Sequence, residues 1–335
     1  MAAPLPRYGR SLRQIADEAV QQVYEHGAGS DTPQRRQERL EKARRFREKY
    51  GSQDAEGTAN VVPYFIGVFD TVAALGAPGP RRVLLGLGLA LFVSAISMAL
   101  AFILALVTGI TFGVLFAVLF LGSLLSIGVS YLRSHFKSIR NFPQQGDFRY
   151  HFAAWRFRFY DNNLNTRVRY ARHAIAIDED RKDFDRVLWG SLEDRPERVN
   201  EPEWLRQVWF AGNHSDVGGS YAEDESRLSD ISLDWMVGQA TELPHPILFD
   251  RSKLRLSPSS SGMQHCEIQS MREIYPDWWP RKLRFTYARQ LREVQSDAPL
   301  HPTVLARFEN EHVSHFGIRR PYRPENLRSH GSFPE

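Results

Sequence analysis

The sequence predicts an α/β fold in which a partial sheet domain is interrupted by an inserted transmembrane helical hairpin. Two apolar runs with the composition of buried strands end on polar residues, one at Asp70 and the other at the cluster 213–216. A segment from about Leu228 to Glu242 after the second run has a helical pattern. Between the two runs, the stretch from Val83 to Leu132 contains no Asp, Glu, Lys, Arg or His.

Composition narrows the functional classes. The 335 residues carry a net charge of only +4, spread along the chain, and no finger, basic helix or Gly-rich phosphate loop is present. We therefore expect no nucleic-acid partner and no cofactor. Cys266 is the single cysteine, which excludes a disulfide framework within the chain. The first residues lack the pattern of a signal peptide.

The uncharged block is too long for one crossing of a bilayer, which takes about 20 helical residues. We expect two transmembrane helices, at about 83–106 and 110–132. The chain should reverse near Thr108 to Thr111, where the block is least apolar. A buried helical hairpin of a soluble protein is the alternative, but 50 uncharged residues exceed the usual length of a pair of core helices.

Positive charges flank the block on both sides, which predicts that both ends face the cytoplasm. An even number of crossings satisfies this rule. The Arg-rich composition favours a bacterial source, for which we predict the inner membrane with the soluble body on the cytoplasmic side. The flanking residues are Arg81, Arg82, Arg133, Lys137 and Arg140.

The remaining chain contains one polar helical region and two predicted strands. Residues 1–60 are polar and helical in character, with a helix that starts at Thr32-Pro33 and stops at Gly51. The run from Val61 to Asp70 is rich in branched and aromatic residues, and the run from Gln207 to Gly212 resembles it. We expect both runs to be buried strands.

Asp70 and His214 are the candidate catalytic residues, because ligands and catalysis gather at the carboxyl ends of strands in open α/β sheets. A His at such a position can take the proton of a serine, and an Asp can orient and stabilise the imidazolium. Their order along the chain is that of an α/β-hydrolase. Thr71 and Asp216 are candidate supporting residues.

Each candidate also has a simpler interpretation. The simpler interpretation of His214 is a loop histidine with a structural hydrogen bond, and that of Asp70 is a helix N-cap. Asp216 could tie down the Gly-rich turn that follows it. His214 and Asp216 could supply two of the ligands of a metal site. No further pair of ligand residues occurs at a convincing spacing, so we expect no metal. His265 and Cys266 are sequence neighbours, which rarely form a catalytic dyad.

Several motifs resemble one α/β-hydrolase family, which includes the type VI secretion lipase effectors (Tle) with phospholipase A activity. The segment from Phe65 to Gly76 resembles its strand-plus-DTV signature, and the segment from Trp209 to Tyr221 resembles its long WFxGxHSDVGGxY signature. Segments 172–184, 300–304 and 322–327 are similar to further parts of the family pattern. The resemblance implies an α/β-hydrolase-like sheet and the roles of acid and base for Asp70 and His214.

The chain also departs from that pattern. It contains neither the Asp-Gly-Thr strand nor a Gly-x-Ser-x-Gly nucleophile elbow, both of which precede the DTV strand in the family. The resemblance therefore divides the chain into a post-elbow helical segment at 1–60, the C-terminal part of the hydrolase domain at 61–80 and 141–330, and the membrane hairpin at 83–132. Without the serine, the remaining pair cannot form an acyl-enzyme.

Two functions follow from these observations. The first is an incomplete, membrane-anchored phospholipase or esterase-type serine hydrolase, whose expected partners are membrane lipid and an N-terminal fragment or upstream-encoded chain that supplies the serine. The second is a non-catalytic, membrane-anchored scaffold or binding protein derived from that fold. On either hypothesis, we expect this chain alone to be inactive.

Overall fold

A computed structural model describes residues 11–26, 32–72, 79–152, 164–187, 189, 202–284 and 286–333, with the backbone only at 79–82 and 283. The chain forms two compact units. The first, here the helical unit, comprises Met1–Val61 and Gly76–Tyr160. The second, here the sheet unit, comprises Val62–Leu75 and Asp161–Glu335.

The helical unit begins with α1 (Leu12–Glu18), which continues as a π-helical segment (Ala19–Tyr24), followed by α2 (Pro33–Tyr50). Thr32 caps α2, because its hydroxyl accepts a hydrogen bond from the Arg35 backbone N–H at 3.3 Å. Gly51 ends the helix in the left-handed conformation, at φ 64°. The start and stop predicted for this helix are therefore confirmed.

Two long apolar helices follow, α3 (Gly79–Thr108) and α4 (Phe112–His135). Val83–Thr108 and Phe112–His135 are long and apolar enough to cross a membrane, by length and composition. Most of their side chains are exposed, which is unlike the core helices of a soluble protein. The reversal lies at residues 109–111, as predicted. An antiparallel pair, β2 (Phe136–Arg140) and β3 (Phe148–Phe152), comes directly after α4.

The sheet unit is built on three parallel strands, β1 (Phe65–Phe69), β4 (Tyr170–Ala176) and β5 (Leu205–Phe210), in the order β1-β4-β5. Every residue of the central strand β4 is buried, as expected for a parallel strand covered on both faces. Parallel strands joined by long crossovers are the hallmark of α/β folds. The predicted fold class is therefore confirmed at that level.

Helices pack on both faces of this sheet. They are α5 (His214–Gly218), α6 (Arg227–Thr241) and α8 (Pro302–Glu309). The helix α7 (Glu267–Glu273) belongs to the same unit. Ala174 and Ala176 of β4 face Met236 of α6, whereas Ile175 lies in the core with Val304 of α8. The short strands β6 (Val313–His315) and β7 (Ile318–Arg320) form an antiparallel pair.

Both predicted strands are present, but their boundaries differ from those predicted. The run from Val61 to Asp70 forms a strand only over Phe65–Phe69, and β1 is half-buried rather than buried. Its one partner among the described strands is β4, which explains the partial exposure. The second predicted strand begins two residues early, at Leu205. The helix predicted from about Leu228 to Glu242 is α6.

Candidate functional site

The carboxyl ends of β1 and β5 bring Asp70 and His214 together. Asp70 follows the last residue of β1, and His214 opens α5, four residues after the end of β5. The Nδ1 atom of His214 lies 2.8 Å from Oδ2 of Asp70. An ionised carboxylate can only accept, so the imidazole donates this bond through Nδ1–H. The structure thus brings into hydrogen-bond contact the two residues that the sequence predicted as an acid–base pair.

Asp70 is fully buried and has further donors besides the histidine. Its Oδ1 accepts the Ala176 backbone N–H at 2.8 Å, and the Arg292 guanidinium donates to both carboxylate oxygens, to Oδ2 at 3.1 Å. Burial alone would raise the pKa of Asp70. The hydrogen bond from His214 and the charge of Arg292 outweigh burial and hold that pKa at about 2. The carboxylate is therefore ionised at neutral pH.

Arg292 is the main residue of this site that the sequence did not predict. Its guanidinium is buried, and besides the two bonds to Asp70 it donates to the carbonyls of Ala176 at 3.0 Å and Phe184 at 2.7 Å. Arg292 lies 222 residues from Asp70 in the chain, within a loop-rich region. No spacing or motif singles it out among the many arginines of this sequence.

The turn that carries His214 is held by side chains at the end of β4. Asp178 accepts the Gly212 N–H at 2.7 Å, and Glu179 accepts the His214 N–H at 3.1 Å. Gly212 has φ +110°, and a Cβ there would lie 2.4 Å from the Cβ of Asp216. Only glycine fits this position. The backbone of the histidine turn is therefore fixed independently of its ring.

The ring of His214 is partly open to solvent, with 31% of its side chain exposed. That exposure leaves room for a reacting group, as a general base requires. Phe184 packs edge-on against the ring at 5.6 Å between centroids. The Arg181 guanidinium covers Phe184 at 3.5 Å and pairs with the buried Glu179 at 2.8 Å. These residues belong to the segment that carried the family resemblance.

Thr71 takes part through its backbone rather than its hydroxyl. Its N–H donates to Nε2 of His173 at 3.2 Å, and its carbonyl accepts the Val187 N–H. His173 is buried, and Nδ1 of its ring donates to Gln207 at 3.2 Å. Burial lowers the pKa of His173 to about 4, so the ring is neutral. The chain just after Asp70 is thereby attached to the central strand.

Asp216 binds a different histidine. Its Oδ1 lies 2.7 Å from Nδ1 of His265, and its Oδ2 accepts the N–H groups of Asn213 and His265. Within the described chain, no hydrogen bond joins Asp216 to the ring of His214. The geometry thus favours the interpretation that Asp216 ties down the Gly-rich turn. It disfavours a shared metal ion, because His214 and Asp216 engage different partners.

One cluster of metal-type ligands occurs in the described part of the helical unit. The donor atoms of His26, Glu38 and His151 lie within 4.8 Å of one another. Glu38 already accepts bonds from His26 Nε2 and Arg35 Nη1, both at 2.7 Å, and Arg149 lies 4.0 Å away. Because these guanidinium groups neutralise the carboxylate and repel a cation, the cluster is better described as a buried ion-pair network.

The helix N-cap interpretation of Asp70 would involve the residues just after it, and 73–78 lie outside the described residues. The carboxylate itself is occupied by Ala176, His214 and Arg292. Within the described residues, no serine or threonine hydroxyl bonds to Nε2 of His214. The arrangement can orient an imidazole, accept a proton at Nε2 and stabilise the resulting cation.

Comparison with known families gives one match. The family described as "T6SS, Phospholipase effector Tle1-like, catalytic domain" matches residues 123–239. The match covers about a third of the chain; it includes His214 and leaves Asp70 and Arg292 outside. It supports the resemblance to the Tle effectors and a phospholipase-type function. No curated protein and no solved structure matches the chain.

Proposed function

We propose that this chain is the acid–base part of a membrane-anchored phospholipase-type serine hydrolase. In the proposed reaction His214 takes a proton from a serine hydroxyl that attacks the ester of a lipid, and Asp70 stabilises the imidazolium. His214 returns that proton to the departing alcohol as the acyl-enzyme forms, and water that His214 activates then hydrolyses the acyl-enzyme to a free fatty acid. The 2.8 Å contact between His214 and Asp70 is the observation that carries this proposal.

The environment of the pair supports catalysis over a purely structural bond. Asp70 is buried, ionised and held at both oxygens, whereas the ring of its partner is partly exposed. Asp70 also adopts φ +44°, a conformation that is uncommon for residues other than glycine and is often found at functional sites. A loop histidine with a structural role needs none of these features.

The nucleophile in this proposal comes from outside the 335 residues. The sequence contains no Gly-x-Ser-x-Gly elbow, and within the described chain no hydroxyl bonds to Nε2 of His214. The part of the polypeptide that supplies the serine would be a preceding segment or a separately encoded fragment. The two apolar helices, with cations at both ends of the block, support anchoring in a bilayer.

The test begins with the DNA upstream of the codon for Met1. All reading frames are searched for a strand-turn-helix with Gly-x-Ser-x-Gly within about 150 codons, roughly the length of one domain. The encoded fragment is then co-expressed with the chain, and fatty-acid release from phospholipid vesicles is measured. His214→Ala and Asp70→Asn should abolish release, and His312→Ala, at an exposed histidine of the same unit, should not.

The competing function is a non-catalytic, membrane-anchored scaffold or binding protein. Absence of any elbow in the upstream DNA would favour it over the hydrolase. The scaffold function would be favoured equally if the co-expressed fragment binds the chain stoichiometrically but the complex hydrolyses no phospholipid. Hydrolysis that His214→Ala leaves unchanged would contradict the roles proposed for the pair.

A further inference from the structure

A loop at residues 274–282 of the sheet unit exposes large apolar side chains. Ile274 is 71% exposed and Trp278 is 76% exposed, with Trp279 beside it at 36%. The two indole rings lie 5.5 Å apart. Tryptophans are costly to leave in water and are enriched where proteins meet the interface of a membrane. We call residues 274–282 the tryptophan loop.

The tryptophan loop is held in shape rather than left extended. The guanidinium of Arg284 donates to three of its carbonyls, those of Pro276, Asp277 and Trp279, at 3.1 to 3.2 Å. Tyr275 lies 6.3 Å from Trp279 between ring centroids. A loop fixed in this way presents its apolar tip without a further ordering cost when it binds.

Residues 265–287 carry this loop, and both ends of that segment contact residues that surround His214. At the start, His265 pairs with Asp216 in the histidine turn at 2.7 Å. At the end, the ring of Tyr287 lies 6.3 Å from Phe184, the residue that packs on the ring of His214. The segment that carries the tryptophan loop is therefore anchored at the end of the sheet where Asp70 and His214 meet.

A second exposed apolar loop occurs at the opposite end of the sheet and offers a comparison. Leu248 is 91% exposed, and the nearby His245 N–H bonds to the hydroxyl of Tyr64, which precedes β1. Tyr64 and Asp70 are the residues on either side of this strand. Exposure alone therefore does not single out the tryptophan loop; the anchoring of its flanking residues around His214 does.

The net charge of the tryptophan loop indicates which kind of surface it would bind. Within residues 274–282 the two cations, Arg281 and Lys282, outnumber the single acid, Asp277. Arg281 and Lys282 are exposed and come directly after the Trp-Trp-Pro tip. Tryptophan beside basic residues is the composition of segments that lie on anionic lipid surfaces.

We propose that the tryptophan loop docks on an anionic phospholipid surface and so brings lipid esters to the His214 end of the sheet. This proposal rests on the proposed function, since it names the surface from which that site would draw its substrate. Trp278 and Ile274 enter the interfacial layer, and Arg281 and Lys282 contact lipid phosphates. No chemical step is required for docking.

The test measures contact with lipid at single labelled positions in the full chain. Cys266 is replaced by Ser, and a fluorophore that reports polarity is attached at Trp278→Cys or, as the matched control, at Leu248→Cys. The variants are reconstituted in vesicles that contain phosphatidylglycerol and a spin-labelled quencher lipid. We expect a blue shift and strong quenching at 278, and clearly weaker quenching at 248.

Charge reversal then tests the choice of an anionic surface. Each cation near such a surface contributes about fivefold in affinity, so Arg281→Glu with Lys282→Glu should strongly reduce quenching at 278. Vesicles of phosphatidylcholine alone should give the same reduction. Quenching at 278 that is absent, equal to that at 248, or independent of these charges would overturn the proposal.

A second copy of the chain is the other occupant that the experiment can reveal. A blue shift that appears in detergent without quencher lipid, and grows with protein concentration, would assign the loop to self-association and overturn lipid docking. The readout needs no nucleophile and no hydrolysis. Failure of lipid docking and failure of the proposed hydrolase function are therefore distinguishable.

Discussion

The Nδ1 atom of His214 donates to Oδ2 of Asp70 at 2.8 Å across 144 residues of sequence, a span that contains both long apolar helices. The contact exists because β1 and β5 are both parallel neighbours of β4. Their carboxyl ends consequently lie on one edge of the sheet.

Arg292→Met should strongly destabilise the protein. The substitution leaves the carboxylate of Asp70 buried without its charge partner, and loss of one member of a buried pair costs about 3–5 kcal/mol. Arg289→Met is the matched control: its pair with Asp180 is 68% exposed on the arginine side and should contribute only about 0–1 kcal/mol. Denaturant unfolding of both variants measures the difference. Equal effects would show that Arg292 does not support Asp70.

The purified chain alone should not react with a fluorophosphonate probe of serine hydrolases. Labelling requires a serine whose proton the imidazole can take, and within the described residues no serine bonds to the ring of His214. Gel fluorescence, with an active serine hydrolase as the positive control, is the measurement. Labelling at any serine that disappears in His214→Ala would contradict a nucleophile supplied from outside the chain.

The two apolar helices should form a hairpin with both ends on the cytoplasmic side, because cations flank the block on both sides. In a Cys266→Ser background, Ile110→Cys between the helices should react with an impermeant maleimide in intact cells. Gln145→Cys, after the second helix, should react only after lysis. Equal accessibility of the two positions would exclude two crossings.

His265 should make stability decrease as the pH rises above 6.5. Burial lowers the pKa of this imidazole, but the hydrogen bond and charge of Asp216 outweigh burial, so the folded-state pKa lies above 6.5. A raised pKa contributes stability that is complete below the unfolded value and is lost as the pH passes through the folded value. Thermal unfolding from pH 6 to 9 measures this loss.

His265→Gln should reduce the loss of stability that the wild type shows as the pH rises above 6.5. The buried His173 provides the contrast, since its pKa of about 4 leaves the ring neutral throughout this range. A variant at His173 should therefore shift unfolding by a similar amount from about pH 8 to 9, where its imidazole is neutral in both the folded and the unfolded protein. If the slope of the wild type survives in His265→Gln, another group causes it.

Part of the site could be predicted from local patterns. Asp70 and His214 each follow a strand-like apolar run, and chain direction in a parallel sheet then requires that they lie on one edge. Thr32 and Gly51 mark the ends of α2 through the capping preferences of their own backbone positions. Such features depend on a few neighbouring residues, so the sequence displays them directly.

Other parts depend on contacts that no local pattern encodes. The sequence placed Asp216 beside His214 as a candidate supporting residue, yet its carboxylate binds His265, 49 residues further on. Arg292 and Glu179 hold the two members of the pair from other segments. Their positions follow from how loops pack on the sheet, and long side chains on loops carry no periodic signal.

The sequence by itself thus determined the α/β character, the length and reversal of the apolar hairpin, and the placement of Asp70 and His214 on one edge of the sheet. These are consequences of local hydrophobic pattern and chain direction. Only the tertiary structure decided which partners ionise Asp70, which histidine Asp216 binds, and which exposed loop is anchored at the His214 end of the sheet. Those properties depend on burial and on distances between segments far apart in sequence, because the energy of a buried charge is set by every group that surrounds it.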